Sequence, residues 1–374
     1  MMKAVYFFVA IMLMFSGACT IDAVEDNTDG EELTEDVNDN SDEEENNDDQ
    51  DDGSNEDEEN NEDENDDSND DIDDDNASYV GNVFIAGHEV TKESVLRRIP
   101  VEYIDKARNS FRVAYQHTSH GTHVTRGVFG LPDYKSGDDV TFGVSLDTPV
   151  SGKLTIYDYA MQDYAPAGEK SVDLSEDEES FLQTTRNFLD DPQNADVNVI
   201  MWSWCDISNH DVEGTYLPGM KQLIEEYGVG GSKIGTGEGQ REVPVHFIFM
   251  TGHAIENNNI GEGRPKNQAD LINEFCRENN QFCLDYYSID THDMEGNYWE
   301  DANDNGYSPK YGKNFYVEWQ ENHTLGVDYW LNRKEPGGIE LTGSHNTQHI
   351  TANRKAMAFW WILARLAGWD GELE

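Results

Sequence analysis

The sequence of residues 78–374 predicts an α/β fold in which a central parallel sheet lies between two layers of helices. Two observations lead to this prediction. Several short stretches are apolar throughout, and segments with helical periodicity separate them. Strands that are apolar on both faces are typical of parallel sheets that helices cover on each side. The predicted fold class is therefore a three-layer sandwich.

The individual elements follow from the spacing of apolar residues along the chain. We predict buried strands at 112–116, 196–204, 243–251 and 282–287. We predict helices at 176–189, 217–227, 268–279 and 353–367, the last of which ends before Gly368. Residues 140–146 and 152–159 alternate between apolar and polar with period 2, which predicts a small β-hairpin insertion.

The first 18 residues resemble the signal peptide of bacterial lipoproteins. Lys3 precedes an apolar run at 4–15 that is too short to span a bilayer, and three small residues then lead to Cys19. Ser16 stands where such peptides usually carry leucine. The resemblance implies a lipid anchor on Cys19, which would bind the protein to a membrane at the bacterial outer membrane or cell surface. The alternative is an ordinary signal peptide in which Cys19 has no such role.

Residues 19–77 are predicted to be an acidic, disordered spacer. Between Asp22 and Asp75 there are 31 Asp and Glu residues and no Lys or Arg. A segment with so few apolar residues cannot bury enough surface to offset the entropy lost on folding, and charge repulsion extends it. Acidic residues soon after a lipidated cysteine also resemble the surface-export signal of Bacteroidetes lipoproteins.

The rest of the chain is also acidic. The formal net charge is −52, of which the spacer carries −31, so −21 remains. This charge repels phosphates and anionic headgroups, which argues against nucleic acid as a partner. Three cysteines follow Cys19, so at most one disulfide can form among them, and their spacing does not show whether Cys276 pairs with Cys283.

Polar residues follow three of the predicted strands at the point where each strand ends. They are the segment 117–123 (HTSHGTH), the pair Cys205-Asp206 and the pair Gly252-His253. In open parallel sheets the functional site lies beyond the carboxyl ends of the strands. We therefore expect these residues to belong to one site.

These residues and a late histidine resemble the SGNH (GDSL-type) hydrolase superfamily. Ser119 follows the first predicted strand, with His117 two residues before it and Gly121 two residues after it. The segment 349–355 (HITANRK) resembles the C-terminal block of the superfamily, which holds the catalytic histidine. The resemblance implies the flavodoxin-like form of the three-layer fold. It also implies Ser119 as the nucleophile and His349 as the general base.

Two positions depart from the superfamily pattern. Cys205 stands where the superfamily has an asparagine that binds the oxyanion, and Asn346 stands where it has an aspartate. Backbone amides of Ser119 or Gly121 are then the candidate oxyanion donors. Asp206 is a candidate for orienting the base.

The remaining histidines leave alternatives open. A shift in register would make His345 the base. Several other histidines lie near the predicted strand ends. One expectation is that they line the predicted pocket. The other is that they bind a catalytic zinc ion, because imidazole is a good zinc ligand. These histidines are His117, His120, His123 and His253.

A calcium-binding pattern begins at Asp301. The segment 301–307 (DANDNGY) matches the first half of an EF-hand loop, in which Asp301, Asn303 and Asn305 supply side-chain ligands and Tyr307 supplies its carbonyl. The glutamate expected at position 12 of such a loop is missing, so an ordinary turn is the alternative. The expected Ca²⁺ is structural, and we expect no cofactor for catalysis.

Together these features predict a membrane-tethered serine esterase that removes acyl groups from an extracellular polysaccharide. All eight tryptophans lie in residues 78–374, which suits a carbohydrate-facing groove or a large core. One alternative is a non-catalytic glycan-binding surface lipoprotein, in accord with the departures at Cys205 and Asn346. The other is a histidine-ligated, metal-dependent hydrolase.

Overall fold

The fold is described by a computed structural model covering residues 84–372. Cys19, the predicted signal peptide and the predicted acidic spacer lie outside these residues. Every element that bears on the predicted site lies within them.

A seven-stranded parallel sheet is the centre of the fold, as the sequence predicts. Its strand order is β1-β7-β6-β5-β2-β4-β3, and each neighbouring pair is parallel. The strands are β1 (Ile85–Ala86), β2 (Arg112–Gln116), β3 (Val144–Leu146), β4 (Leu154–Asp158), β5 (Val199–Trp202), β6 (His246–Met250) and β7 (Cys283–Leu284). A separate antiparallel pair joins β8 (Tyr307–Ser308) to β9 (Lys313–Asn314).

Helices cover both faces of the sheet, which is compatible with a three-layer sandwich. They are α1 (Glu93–Arg98), α2 (Val101–Ser110), α3 (Thr122–Gly130), α4 (Asp138–Thr141), α5 (Ser180–Asp190), α6 (Leu217–Tyr227), α7 (Pro265–Asn279), α8 (Tyr286–Thr291), α9 (Phe315–Glu321) and α10 (His349–Leu366). The α/β class with a helix-covered parallel sheet is thereby confirmed.

Successive residues of the central strands enter two different cores. In β5, Val199 and Met201 pack with α2, α3 and α10, whereas Ile200 and Trp202 pack with α5, α6 and α7. This alternation follows from the period of two in an extended strand, which sends neighbouring side chains to opposite faces. It also explains why the strand is apolar throughout.

The predicted β-hairpin at 140–146 and 152–159 is wrong. β3 and β4 are parallel, and Val144 lies beside Leu154 in the main sheet. Residues 140–141 belong to α4 rather than to a strand. An alternating pattern indicates an extended segment with two different faces, but it carries no information about strand direction. The small antiparallel pair is instead β8 and β9, which the sequence analysis did not predict.

The extent of the strand predicted at 282–287 and the place of β2 in the chain order also differ from the prediction, and several other element ends differ by one to four residues. The segment 282–287 contains a strand only at Cys283–Leu284, because helix α8 begins at Tyr286, where the Asp285 side chain accepts a hydrogen bond from the Ser288 amide. The strand that leads to Ser119 is the second strand of the described chain, since β1 precedes it.

Helices α3 and α10 pack closely behind the strand that leads to the predicted site. A Cβ atom at Gly127 would lie 2.0 Å from the Ala352 carbonyl oxygen, so only glycine permits this approach. Most of α10 is buried, from Ile350 to Ala364. This packing holds the start of α3, and with it residues 119–121, in a defined position.

Candidate functional site

The predicted site residues lie at the carboxyl edge of the sheet, beyond neighbouring strands. Ser119 and His120 follow β2, Cys205 follows β5, and His253 follows β6. These three strands are adjacent, so their ends bring the side chains together. Within this edge His120 contacts both Cys205 and His253.

Ser119 occupies a strained position at the start of a short 3-10 turn, Ser119–Gly121. Its φ angle is 42°, in the left-handed region that serine rarely adopts. The hydroxyl is buried and has no hydrogen-bond partner of standard geometry within residues 84–372, but it lies beside the Cys205 thiol. Backbone strain of this kind persists when the surrounding structure enforces it, and it is common at functional sites.

Glycine at position 121 is required by close packing under this turn. A Cβ atom there would lie 2.5 Å from the His117 Cβ and 2.5 Å from the Ser203 hydroxyl oxygen. The Gly121 amide donates to the Thr118 carbonyl at 2.8 Å, so this amide is already engaged. The predicted oxyanion role of Gly121 would require that bond to open.

His120 is the centre of the site. Its Nδ1 lies 3.5 Å from the Cys205 Sγ, and its Nε2 lies 3.4 Å from the Asp304 Oδ2. Its ring stacks on two other imidazoles, with centroid distances of 3.7 Å to His253 and 4.8 Å to His345. We call these residues, together with Ser119, the His120 cluster.

The Cys205 thiol and the His120 imidazole shift each other's pKa. Burial lowers the pKa of His120, but hydrogen bonds to Asp304 and Cys205 outweigh it and raise that pKa to about 9. Burial raises the pKa of Cys205, but the contacts with His120 and Ser119 outweigh it, so the pKa is lowered. Both shifts favour a thiolate–imidazolium pair, the form in which a cysteine is reactive.

His253 is held neutral in the same cluster. Burial is the main reason that its pKa falls to about 4, and the charge of His120 adds to the effect. Its Nδ1 lies 2.8 Å from the Ala254 carbonyl oxygen, an acceptor only, so Nδ1 carries the proton and Nε2 carries the lone pair. The imidazole is therefore an acceptor at the edge where the substrate is expected.

Of the four residues predicted as alternative zinc ligands, His120 and His253 lie together, whereas His117 and His123 bond to other partners. His117 Nε2 lies 2.7 Å from the Asp158 Oδ1, and both ring nitrogens of His123 are engaged, by the Tyr286 hydroxyl and by the Ser344 carbonyl. Among residues 84–372, the His/Cys/Asp/Glu group that offers metal-ligand atoms within 4.8 Å of one another is His120, His253 and Asp304. Any metal site at this edge would use that set.

His349, the predicted base, opens α10 away from the cluster. Its Nδ1 accepts from the Asn332 amide at 3.2 Å, and its Nε2 lies 3.0 Å from a carboxylate oxygen of Glu340. Both nitrogens therefore have partners outside the His120 cluster. The alternative base, His345, stacks directly on His120.

The other two predicted residues, Asp206 and Asn346, form structural hydrogen bonds outside the His120 side-chain contacts. The Asp206 carboxylate accepts from the Ser208 amide at 2.8 Å, which is a turn contact. The Asn346 side chain donates to the Asp304 carbonyl at 2.9 Å and accepts from the Gln348 amide at 2.7 Å. Through these hydrogen bonds, Asn346 links the loop that contains Asp304 with the residues just before α10.

Asp304 is the site residue that sequence reasoning missed. It lies inside the segment interpreted as a calcium loop, at a position that supplies no ligand in that motif. Its amide donates to the Ala254 carbonyl at 3.1 Å, which ties it to the segment after β6. No local sequence signal marks this contact, because about 50 residues separate its two partners.

The oxygens of the predicted calcium loop already accept hydrogen bonds. The Asp301 carboxylate accepts from the Ser308 hydroxyl and from the Lys310 amide, both at 2.7 Å. Asn303 accepts from the Asn305 and Tyr307 amides at 3.0 Å. The Asn305 side-chain oxygen accepts from the Gln348 side chain at 3.0 Å, so a cation would have to share all three predicted side-chain ligands with existing hydrogen bonds.

If this loop binds Ca²⁺, a chelator should destabilise the folded protein by a measurable amount. A ligand that binds only the folded state raises the melting temperature, so a chelator should lower it in the wild type. In the Asp301→Ala variant the chelator should then have no further effect. Identical melting curves of the wild type with and without chelator would eliminate the calcium ion.

No known protein family, curated protein or solved structure matches this chain. Within residues 84–372, no helix combines the length and apolarity needed to cross a membrane. A functional assignment therefore depends on the geometry of the His120 cluster.

Proposed function

We propose that this protein is an ester hydrolase of SGNH type in which Ser119 is the nucleophile. The observation that carries the proposal is the series of contacts from Ser119 to Cys205, from Cys205 to His120, and from His120 to Asp304. A nucleophile, a proton acceptor and an orienting carboxylate are the parts that covalent acyl transfer requires. All of them lie at the edge where a parallel sheet places its site.

The chemistry follows from these contacts. The Ser119 oxygen attacks the ester carbonyl carbon while its proton passes to the Cys205 thiolate, which the His120 imidazolium holds in place. The bond between the acyl carbon and the leaving oxygen breaks, and that oxygen takes the proton. Water then hydrolyses the acyl-serine ester by the same proton path and releases the acid. Asp304 keeps the His120 ring oriented throughout.

The proton acceptor in this proposal differs from the one that the sequence pattern implies. His349 has partners on both nitrogens, whereas the Cys205–His120 pair lies beside the Ser119 hydroxyl. His345 and His253 stack on His120 and restrict its rotation.

A thiol hydrolase with Cys205 as nucleophile is a second candidate. The observation that favours it is the lowered pKa of Cys205, which His120 and Ser119 cause by direct contact. In this alternative the Cys205 thiolate, which accepts a hydrogen bond from Ser119, attacks the carbonyl carbon. The bond from that carbon to the leaving oxygen breaks, the leaving oxygen takes the proton of the His120 imidazolium, and water then hydrolyses the thioester. The reaction class is the same, and only the atom that carries the acyl group differs.

The proposed substrate is an acylated extracellular polysaccharide, and the proposed location is the bacterial outer membrane or cell surface. The N-terminal sequence supports export and a lipid anchor on Cys19. The formal charge of −52 supports a substrate that is not a polyanion.

Covalent labelling distinguishes the two nucleophiles. We expect a fluorophosphonate probe to modify Ser119, as located by peptide mass spectrometry, and to fail with the Ser119→Ala variant. An exposed serine away from the cluster provides the matched control, and Ser110→Ala should label like the wild type. Labelling of Cys205 by an acyl-type thiol probe, together with an inert Ser119, would replace the serine mechanism by the thiol mechanism. A wild type that reacts with neither probe would contradict both.

A further inference from the structure

A second surface feature lies in the segment between α8 and α10, the same part of the chain that supplies Asp304. It is a groove with a volume of about 360 Å³, a size typical of ligand-binding clefts. We call it the aromatic groove. Its lining includes Asp293, Glu295, Trp299, Tyr311, Glu318 and Trp319.

The aromatic rings of this groove are held in place and remain partly accessible. Trp319 is stacked on His323 with ring centroids 3.8 Å apart and planes 14° apart. Trp299 meets Tyr311 edge-on at 4.9 Å. All three large rings are half-buried, so part of each ring reaches the groove. Rings that are already ordered lose little conformational entropy when a ligand packs on them.

Carboxylates accept hydrogen bonds from Trp299 and Tyr311 and give the groove a negative charge. Asp293 accepts from the Trp299 indole at 2.9 Å and from the Asn297 side chain at 3.0 Å. Burial opposes ionisation of Asp293, but these hydrogen bonds outweigh it and lower its pKa. Glu318 accepts from Lys313 at 2.7 Å and from the Tyr311 hydroxyl, and both contacts lower its pKa.

The combination of aromatic faces and hydrogen-bond acceptors matches the two surfaces of a sugar ring. One face of a pyranose presents C–H bonds, which pack on the electron-rich face of an aromatic ring. The hydroxyl groups at the edge of the sugar donate to carboxylate and amide oxygens. Lys313 balances the charge of Glu318, but Asp293 is ionised and Glu295 is exposed beside it, so the groove keeps a negative charge that would repel an acidic sugar.

We propose that the aromatic groove binds a polysaccharide chain that carries no acidic groups. The role of this site in holding an acylated chain for cleavage depends on the esterase function proposed above; the binding itself does not. The segment between α8 and α10 that forms the groove also carries Asp304, so the groove and the His120 cluster share one stretch of the chain.

Binding of defined oligosaccharides to the full chain tests this proposal. Xylohexaose and cellohexaose serve as neutral probes and a galacturonate hexamer as the acidic probe, with calorimetry as the readout. We expect at least one neutral probe to bind and the acidic probe not to bind. Trp319→Ala should weaken neutral binding about tenfold or more, as the loss of an aromatic anchor does. Val229→Ala, which removes an exposed apolar side chain away from the groove lining, is the control and should bind like the wild type.

A second variant and a second measurement distinguish failure of glycan binding from failure of the esterase function. Trp319→Leu retains apolar volume without the ring, so it should fold and should still lose binding. The Trp319 variants should hydrolyse a small chromogenic acetate at the wild-type rate, because that substrate does not reach the groove. The proposal is overturned if the wild type binds neither neutral probe or binds the acidic probe equally well. It is also overturned if neither Trp319 substitution weakens binding of the neutral probes. Absence of acetate hydrolysis with intact glycan binding would instead remove the esterase function alone.

Discussion

Replacing Ser119 with alanine is expected to lower the rate of ester hydrolysis by about 10³-fold or more, as removal of a nucleophile generally does. The hydroxyl is buried and lacks a standard hydrogen-bond partner within residues 84–372, so its removal breaks no structural bond. The melting temperature should therefore stay within a few degrees of the wild type. Initial rates on a chromogenic acetate and on an acetylated xylan measure the effect.

Substitutions around Ser119 show which group takes its proton. Cys205→Ala and His120→Ala should each lower the rate strongly, because each removes a member of the contact series. His349→Ala should have a small effect, since its nitrogens bond to Asn332 and Glu340. A Ser119→Ala variant with full activity beside an inactive Cys205→Ala variant would establish the thiol mechanism. Loss of activity on His349→Ala with full activity on His120→Ala would restore the base implied by the sequence pattern.

Replacing Lys355 with methionine is expected to reduce the free energy of unfolding by about 3–5 kcal/mol, the cost typical of leaving a buried charge without its partner. Lys355 and Asp290 are both fully buried, and their charged atoms lie 2.6 Å apart. The Lys355 ammonium also lies 3.9 Å from the centroid of the Tyr286 ring. Urea denaturation measures the change.

The double variant Lys355→Met/Asp290→Leu provides the control for this pair. It replaces both charges by apolar groups, so most of the lost stability should return. If Lys355→Met folds poorly, the yield and the free energy of unfolding of the double variant still show whether the unpaired buried charge is the cause. A loss below about 1 kcal/mol in Lys355→Met would show that the ion pair contributes little, as exposed pairs do.

The order of the helices and strands was predictable because local patterns determine it. The apolar run at 112–116 coincides with β2, and the helical pattern at 217–227 coincides with α6. Burial on both faces leaves a continuous apolar run, and burial on one side of a helix leaves a periodic one. The direction of β3 and β4 was not predictable, since pairing depends on neighbours elsewhere in the sheet.

The sequence by itself predicted that the segment 117–123, Cys205-Asp206 and Gly252-His253 belong to one site, because the carboxyl ends of parallel strands share one edge of the sheet. The adjacency of β2, β5 and β6, which the tertiary structure decides, brings His120, Cys205 and His253 together. Only the tertiary structure decided that Asp304 and His345 complete this group and that His349 does not. The positions of Asp304 and His345 depend on loops held by contacts between distant residues, such as the bond from Asn346 to the Asp304 carbonyl. Periodicity records which face of an element is buried, but it holds no information about the path of an irregular loop.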